Sequence, residues 1–244
     1  MMMILYCLGM ALLPIVHSFQ ISQFSPFNSM RTSVLRTAPN RHYETSLYFF
    51  GKIFEEDGPL GKGITVGKIQ VALSCSDRSL ISTLESKSKN IGDSPKELSQ
   101  LCNAVCLALL RKSDDFIAAC SESQWFGQSD SGKAESLYNT WSNIEASKFE
   151  KEYVPSADSG EKGGGPTNVV VSLIVEIQGD ETNFEGAGYS LSKTKDVLSS
   201  IAADCMVDEG YCLNAVEVFW TPGDRDEVLT KNDLILDFPT LIDL

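Results

Sequence analysis

Residues 168–179 read NVVVSLIVEIQG. Val169, Val171, Leu173, Val175 and Ile177 take every odd position, while Ser172, Glu176 and Gln178 punctuate the even ones. A period of two marks a β-strand with one continuous apolar face. The run is also too short, and through Glu176 too polar, to cross a bilayer core about 30 Å thick. Moving toward the C-terminus, Leu191, Leu198, Ala202 and Cys205 predict a helix from about Ser190 to Met206, and Leu213–Trp220 predicts a second strand with Val216, Val218 and Trp220 on one face. Thr221-Pro222-Gly223-Asp224 is a turn, and Thr230 with Asp233 caps a short helix that must end before Pro239.

Moving toward the N-terminus, residues 155–167 (PSADSGEKGGGPT) form a Gly-rich linker by composition. Before it, Leu137–Tyr153 reads as a helix with Trp141, Ile144 and Phe149 as core contacts, and Phe116–Cys120 as a short strand. Ser94-Pro95-Lys96-Glu97 is a capping box with Pro at the first helical position. Leu98, Leu101, Cys102, Val105 and Leu109 then share one helical face, and Arg111 and Lys112 complement the dipole at its end. Ile69, Val71, Leu73 and Cys75 alternate with Lys68, Gln70 and Ala72, which gives the first strand, starting near Ile64. The expected fold is α+β: a single domain over 64–244, with one mixed β-sheet of three to four strands covered by helices.

The full chain has 244 residues, 20 Lys plus Arg, 33 Asp plus Glu and a net charge of −13. Phosphate backbones are bound by clustered basic side chains, so this balance argues against a nucleic-acid partner. Charge is unevenly spread: residues 1–46 are net +2, leaving −15 on residues 47–244. Residues 1–18 form an uncharged apolar run interrupted by Pro14, with Val16 and Ser18 before Phe19 in the arrangement of a signal-peptidase site. From Phe19 to Tyr43 there is no acid, and Arg31, Arg36 and Arg41 alternate with Ser and Thr, the composition of an organellar transit peptide. The expected organisation is therefore a signal peptide at 1–18, a plastid transit-like segment at 19–46 and a flexible junction at 47–63. This bipartite arrangement with Phe at the junction resembles the presequences of secondary plastids in diatoms and related algae. The alternative is a secreted protein with a basic N-terminus. The lack of any Asn-x-Ser/Thr sequon and the sparse Cys spacing weigh against it.

Both histidines, His17 and His42, lie in the leader. Downstream of it, Ser-His-Asp and Cys-His catalysis and His-containing zinc sites have no residues to use. Asp224-Arg225-Asp226-Glu227 fails the EF-hand register, since its sixth position is Leu229 and its twelfth Ile235. The glycines from Gly58 to Gly67 lack the Walker spacing, because Gly61-Lys62 precedes Gly63 and Gly67-Lys68 precedes Ile69. Cys102 and Cys106 fall on the apolar helix stripe and read as core, whereas Cys205 and Cys212 bracket a loop and are the candidate redox pair. No residue is singled out as catalytic, cofactor-binding or metal-ligating.

The segment NAVEVFWTPGDRDEVLTKNDLILDFPTL (Asn214 to Leu241) resembles the C-terminal signature of a family shared by cyanobacteria and plastids. That family is catalogued as a domain of unknown function, and its land-plant members include the fluctuating-light acclimation protein. The match is carried by Ala215-Val216-Glu217-Val218-Phe219-Trp220-Thr221-Pro222 and Asp237-Phe238-Pro239, with weaker likeness at Asn168–Gly179, Ser94–Arg111 and Lys68–Leu73. Many members carry a Gly-rich hydrophobic segment, often membrane-spanning, ahead of this domain, and here only Leu47–Phe50 stands in that place. The resemblance implies a non-catalytic plastid protein, in the stroma or peripheral to a thylakoid or envelope membrane, that modulates photosynthesis by docking on a membrane complex. Trp220, Pro222, Asp224, Asp226 and Glu227 are the candidate contact residues, with a core role for Trp220 beside Val216 and Val218 as the competing reading. The alternatives are a soluble stromal redox-responsive protein and a small enzyme using carboxylates or Tyr in a cleft beside the sheet.

Overall fold

Apolar alternation on the long strands decides the architecture, because those strands are buried on both faces. The computed structural model describes residues 57–89, 92, 94–148, 166–223 and 227–244. The signal peptide, the transit-like segment and the linker up to residue 165 lie outside the described residues. In chain order the regular elements are β1 (Ile64–Cys75), α1 (Ser79–Ser88), α2 (Pro95–Arg111), β2 (Phe116–Phe126) and α3 (Ser131–Lys148). They continue with β3 (Thr167–Gln178), α4 (Leu191–Asp204), β4 (Leu213–Thr221), α5 (Lys231–Asp237) and β5 (Ile242–Asp243).

Among the described residues the strands form one five-stranded sheet in the order β4-β3-β1-β2-β5. Every pairing in it is antiparallel. This corrects the expectation of a mixed sheet with three to four strands. Alternation of strand and helix suggested parallel crossovers, but two of the connections go out and back. The pair α1 and α2 returns the chain to the end of β1 it left, so that Leu73 faces Phe116. Residues 179–190 followed by α4 do the same between β3 and β4, where Ile177 faces Leu213. Two connections cross the sheet: α3 leads from the Phe126 end of β2 to the Thr167 end of β3, on either side of β1, and the segment with α5 leads from β4 at one edge to β5 at the other.

One face of the sheet carries the main core. Ile69, Val71 and Leu73 of β1, Leu173, Val175 and Ile177 of β3 and Val216, Val218 and Trp220 of β4 pack beneath α1, α2 and α4. The stripe expected on α2 is buried in full, and Ser94 Oγ accepts the Glu97 N–H at its N-terminus as the capping pattern predicts. Gly67 sits on this face with the Phe184 ring over it. An added Cβ would fall 2.1 Å from the ring, so only Gly admits this approach. The opposite face is covered in two halves. Ala134 and Tyr138 of α3 lie on Val66, Ile174 and Phe219. Leu234 of α5 and Phe238 lie on Ala72, Ala118 and Val170. Helices thus sandwich the sheet, consistent with the α+β class.

Two elements escaped sequence reading. Helix α1 buries Leu80, Ile81 and Leu84, three residues too closely spaced to register as a long amphipathic stripe. Strand β5 is two residues long, below any periodicity. Helix α3 begins at Ser131, six residues before the expected start, and turns Tyr138, Ser142 and Glu145 inward. Ile144, expected in the core, is 50% exposed. Trp141 is partly buried against the core, and Phe149 lies outside the described residues.

Candidate functional site

The inward face of α3 is polar because the strip of sheet below it is polar. Even-numbered β1 and β3 positions point toward α3, and there the apolar runs are interrupted by Lys68, Gln70 and Ser172. Gln70 lies opposite Ser172 on one side and Cys120 on the other. Glu145, fully buried, reaches down from α3 into this strip. Its Oε2 accepts from Gln70 Nε2 at 3.0 Å and from Ser172 Oγ at 3.1 Å. Its Oε1 accepts from Lys148 Nζ at 2.8 Å and lies 3.8 Å from Lys68 Nζ. Lys68 also pairs with Glu122 and lies 5.4 Å from the Trp141 ring centroid, and Lys148 lies 4.8 Å from that of Phe238. Gln70 Oε1 in turn accepts from Cys120 Sγ at 3.5 Å and Thr240 Oγ1 at 3.3 Å, so its amide links the carboxylate to the C-terminal segment.

An unpaired carboxylate at this depth is strongly disfavoured, and two ammonium groups with two neutral donors are what permit it. Both oxygens are engaged, so Glu145 orients α3 on the sheet and presents no free lone pair toward a solvent-filled space. Ser142 Oγ, one turn earlier, is buried with no hydrogen-bond partner among the described residues. The sequence signal for this cluster was the group of polar residues, Lys68, Gln70 and Ser172, among even positions otherwise occupied by Val66, Ala72, Val170 and Ile174. Reading those strands as half-exposed concealed it.

Beyond Phe238 the same face opens into a cleft of about 730 Å³ between α5 and the ends of β1, β2 and β3. Phe116, Ile117, Leu234, Phe238 and Leu241 supply apolar walls, and Ser74, Asn168, Lys231 and Asp243 supply polar groups.

The residues expected from sequence are placed elsewhere. Trp220 is buried in the main core beside Val216 and Val218, which is the competing reading, and Pro222 is buried after a cis peptide bond. Glu227 accepts the Gly223 N–H at 3.0 Å and closes the turn from within. Asp224 and Asp226 lie outside the described residues. Cys205 and Cys212 are free and buried, and they do not form one site. Cys205 joins Cys102 and Cys106 between α2 and α4. Hydrogen bonds to Cys106 and Cys205, reinforced by burial, push the Cys102 thiol well above its ordinary range. Burial, with Asp208 and Asp204 nearby, raises that of Cys212. Burial also raises Cys120, against the opposing pull of Thr240 and Lys68. All of these thiols but Cys120 are buried, as are Cys75 and Cys106, and a buried thiol is shielded from oxidants and alkylating reagents. We therefore expect Cys75, Cys102, Cys106, Cys205 and Cys212 to take up maleimide only on unfolding, and the half-buried Cys120 to label first, as mapped by mass spectrometry. Fast native labelling at Cys205 would contradict this placement.

Among the described residues no group of three or more His, Cys, Asp or Glu side chains is arranged to hold a metal ion. No helix there is long and apolar enough to cross a membrane. Fold and site together define an α+β domain in which helices cover both faces of an antiparallel sheet, with a buried ionic cluster on one side. The chain belongs to the family described as "protein of unknown function (DUF1517)", whose model matches residues 63–244. No curated protein and no solved structure matches it.

Proposed function

We propose that this chain is a non-catalytic plastid protein that modulates photosynthesis by docking, as a peripheral component, on a thylakoid or envelope membrane complex. The leader composition supports the plastid address, and the likeness of Asn214–Leu241 to the family of the fluctuating-light acclimation protein supports the role. The single observation that carries the docking reading is an exposed apolar patch at the β5 edge of the sheet. Gly188 lies against Ala119 and Ile242, which brings the neighbouring Tyr189, 79% exposed, beside Ile242, 41% exposed, with Leu191 following. Among the described residues β5 pairs only with Ala118 and Ala119, and Leu244 N–H adds one bond to the Ile117 carbonyl, so the β2 edge past Ala119 carries no strand, and such an edge accepts one from a partner. With −15 on residues 47–244, an anionic surface is repelled, so the partner is a membrane protein with a basic exposed segment.

The test is a full-length fluorescent fusion in an alga with a secondary plastid, imaged against chlorophyll and then fractionated. The native chain is expected in the plastid membrane fraction. Tyr189→Arg with Ile242→Arg, both exposed and tolerant positions, shifts it to the soluble plastid fraction. Signal in the endomembrane system or medium overturns the address, and equal membrane recovery of both versions overturns the docking edge.

A further inference from the structure

The cleft under α5 shares β5 with the docking edge but is lined by Asp243 and not by Ile242, and its lining is divided. Ser74 of β1 stands opposite Asn168 of β3, and Asn168 bonds through Nδ2 to the Leu229 carbonyl at 3.0 Å, two residues before Lys231. One end of the cleft therefore gathers a hydroxyl, a side-chain amide and a cation. Neither Ser74 Oγ nor Lys231 Nζ has a partner among the described residues. Away from that end the walls are Phe116, Ile117, Leu234, Phe238 and Leu241. Nine of the thirteen lining residues are apolar, and the volume, about 730 Å³, is that of sites for small organic ligands. Asp243, on β5, disfavours a second negative charge in the ligand.

We infer that this cleft is a binding site for a small amphiphile with a single anionic head, of the long-chain carboxylate class. The head accepts hydrogen bonds from Ser74 and Lys231, and the chain lies along Phe116, Leu234 and Phe238. The charge fixes orientation and the apolar wall supplies most of the affinity. The reading stands on the cleft alone and does not depend on plastid docking.

Laurate, below its micelle-forming concentration, tests this by calorimetric titration of the full chain, with dodecanol as the neutral comparator. Lys231→Glu is the matched variant. Lys231 is exposed at the first position of α5, where an acid suits the helix dipole, so the variant folds, as its thermal midpoint will report. One saturable site is expected, with laurate at least tenfold weaker in Lys231→Glu and dodecanol unchanged. No saturable laurate binding overturns the site, and equal laurate affinity in both proteins overturns the assignment of the head to Lys231.

Discussion

Replacing Glu145 with Ala is expected to destabilise the domain by about 3–5 kcal/mol in urea denaturation, the range for removing one partner of a buried ion pair. The cause is what remains. Lys68 and Lys148 lose their shared acceptor, and Gln70 Nε2 and Ser172 Oγ lose Oε2. Lys68 keeps Glu122, but that carboxylate is half-exposed and solvated, so it compensates little. The whole cluster behaves differently from its parts. Glu145→Leu combined with Lys68→Met and Lys148→Met removes all three charges together and is expected to cost less than Glu145→Ala, about 1–3 kcal/mol, because Gln70 and Ser172 still lose Oε2. A single Glu145→Ala change that cost less than about 1 kcal/mol would mean that water reaches the carboxylate and that α3 does not seal the strip.

The second large effect comes from two neighbours on β3. Leu173 and Ile174 are both fully buried, yet they point to opposite faces of the sheet. Leu173→Ala opens a cavity in the main core, and Ile174→Ala opens one beneath α3. Each is expected to lower stability by about 2–5 kcal/mol. Leu236→Ala, at a side chain 76% exposed on α5, serves as the control and stays within about 0.5 kcal/mol. The comparison distinguishes two architectures. A sheet covered on one side only would lose stability at Leu173 and hardly at all at Ile174.

Those two residues also show how far the sequence could be read. Odd positions of β3 announced the strand and its apolar face, and the α2 stripe announced the helix that packs on it, because each pattern is local and periodic. Strand direction is not local. Whether the excursion after β3 ends in a parallel or an antiparallel neighbour depends on residues 179–190 doubling back, and nothing in their composition encodes that. The polar cluster failed for a related reason. Gln70, Ser172 and Glu145 each look like surface residues in their own segment, and only the meeting of three elements removes them from water. Trp220 shows the converse, since a conspicuous Trp-Thr-Pro string proved to be core packing, with Thr221 and Pro222 buried behind it. The exposed edge at Tyr189 and Ile242 was invisible, because the two are far apart in the chain and β5 is too short to predict.

Docking at that edge is the central claim, and site-specific photo-crosslinking in isolated plastids tests it most directly. The full chain would carry benzoyl-phenylalanine at position 189 or, as a control, at position 144, an exposed site on α3 away from β5. The account predicts an adduct with one membrane protein bearing a basic exposed segment from position 189 and none from position 144. No adduct at position 189, or the same adducts from both positions, would contradict it.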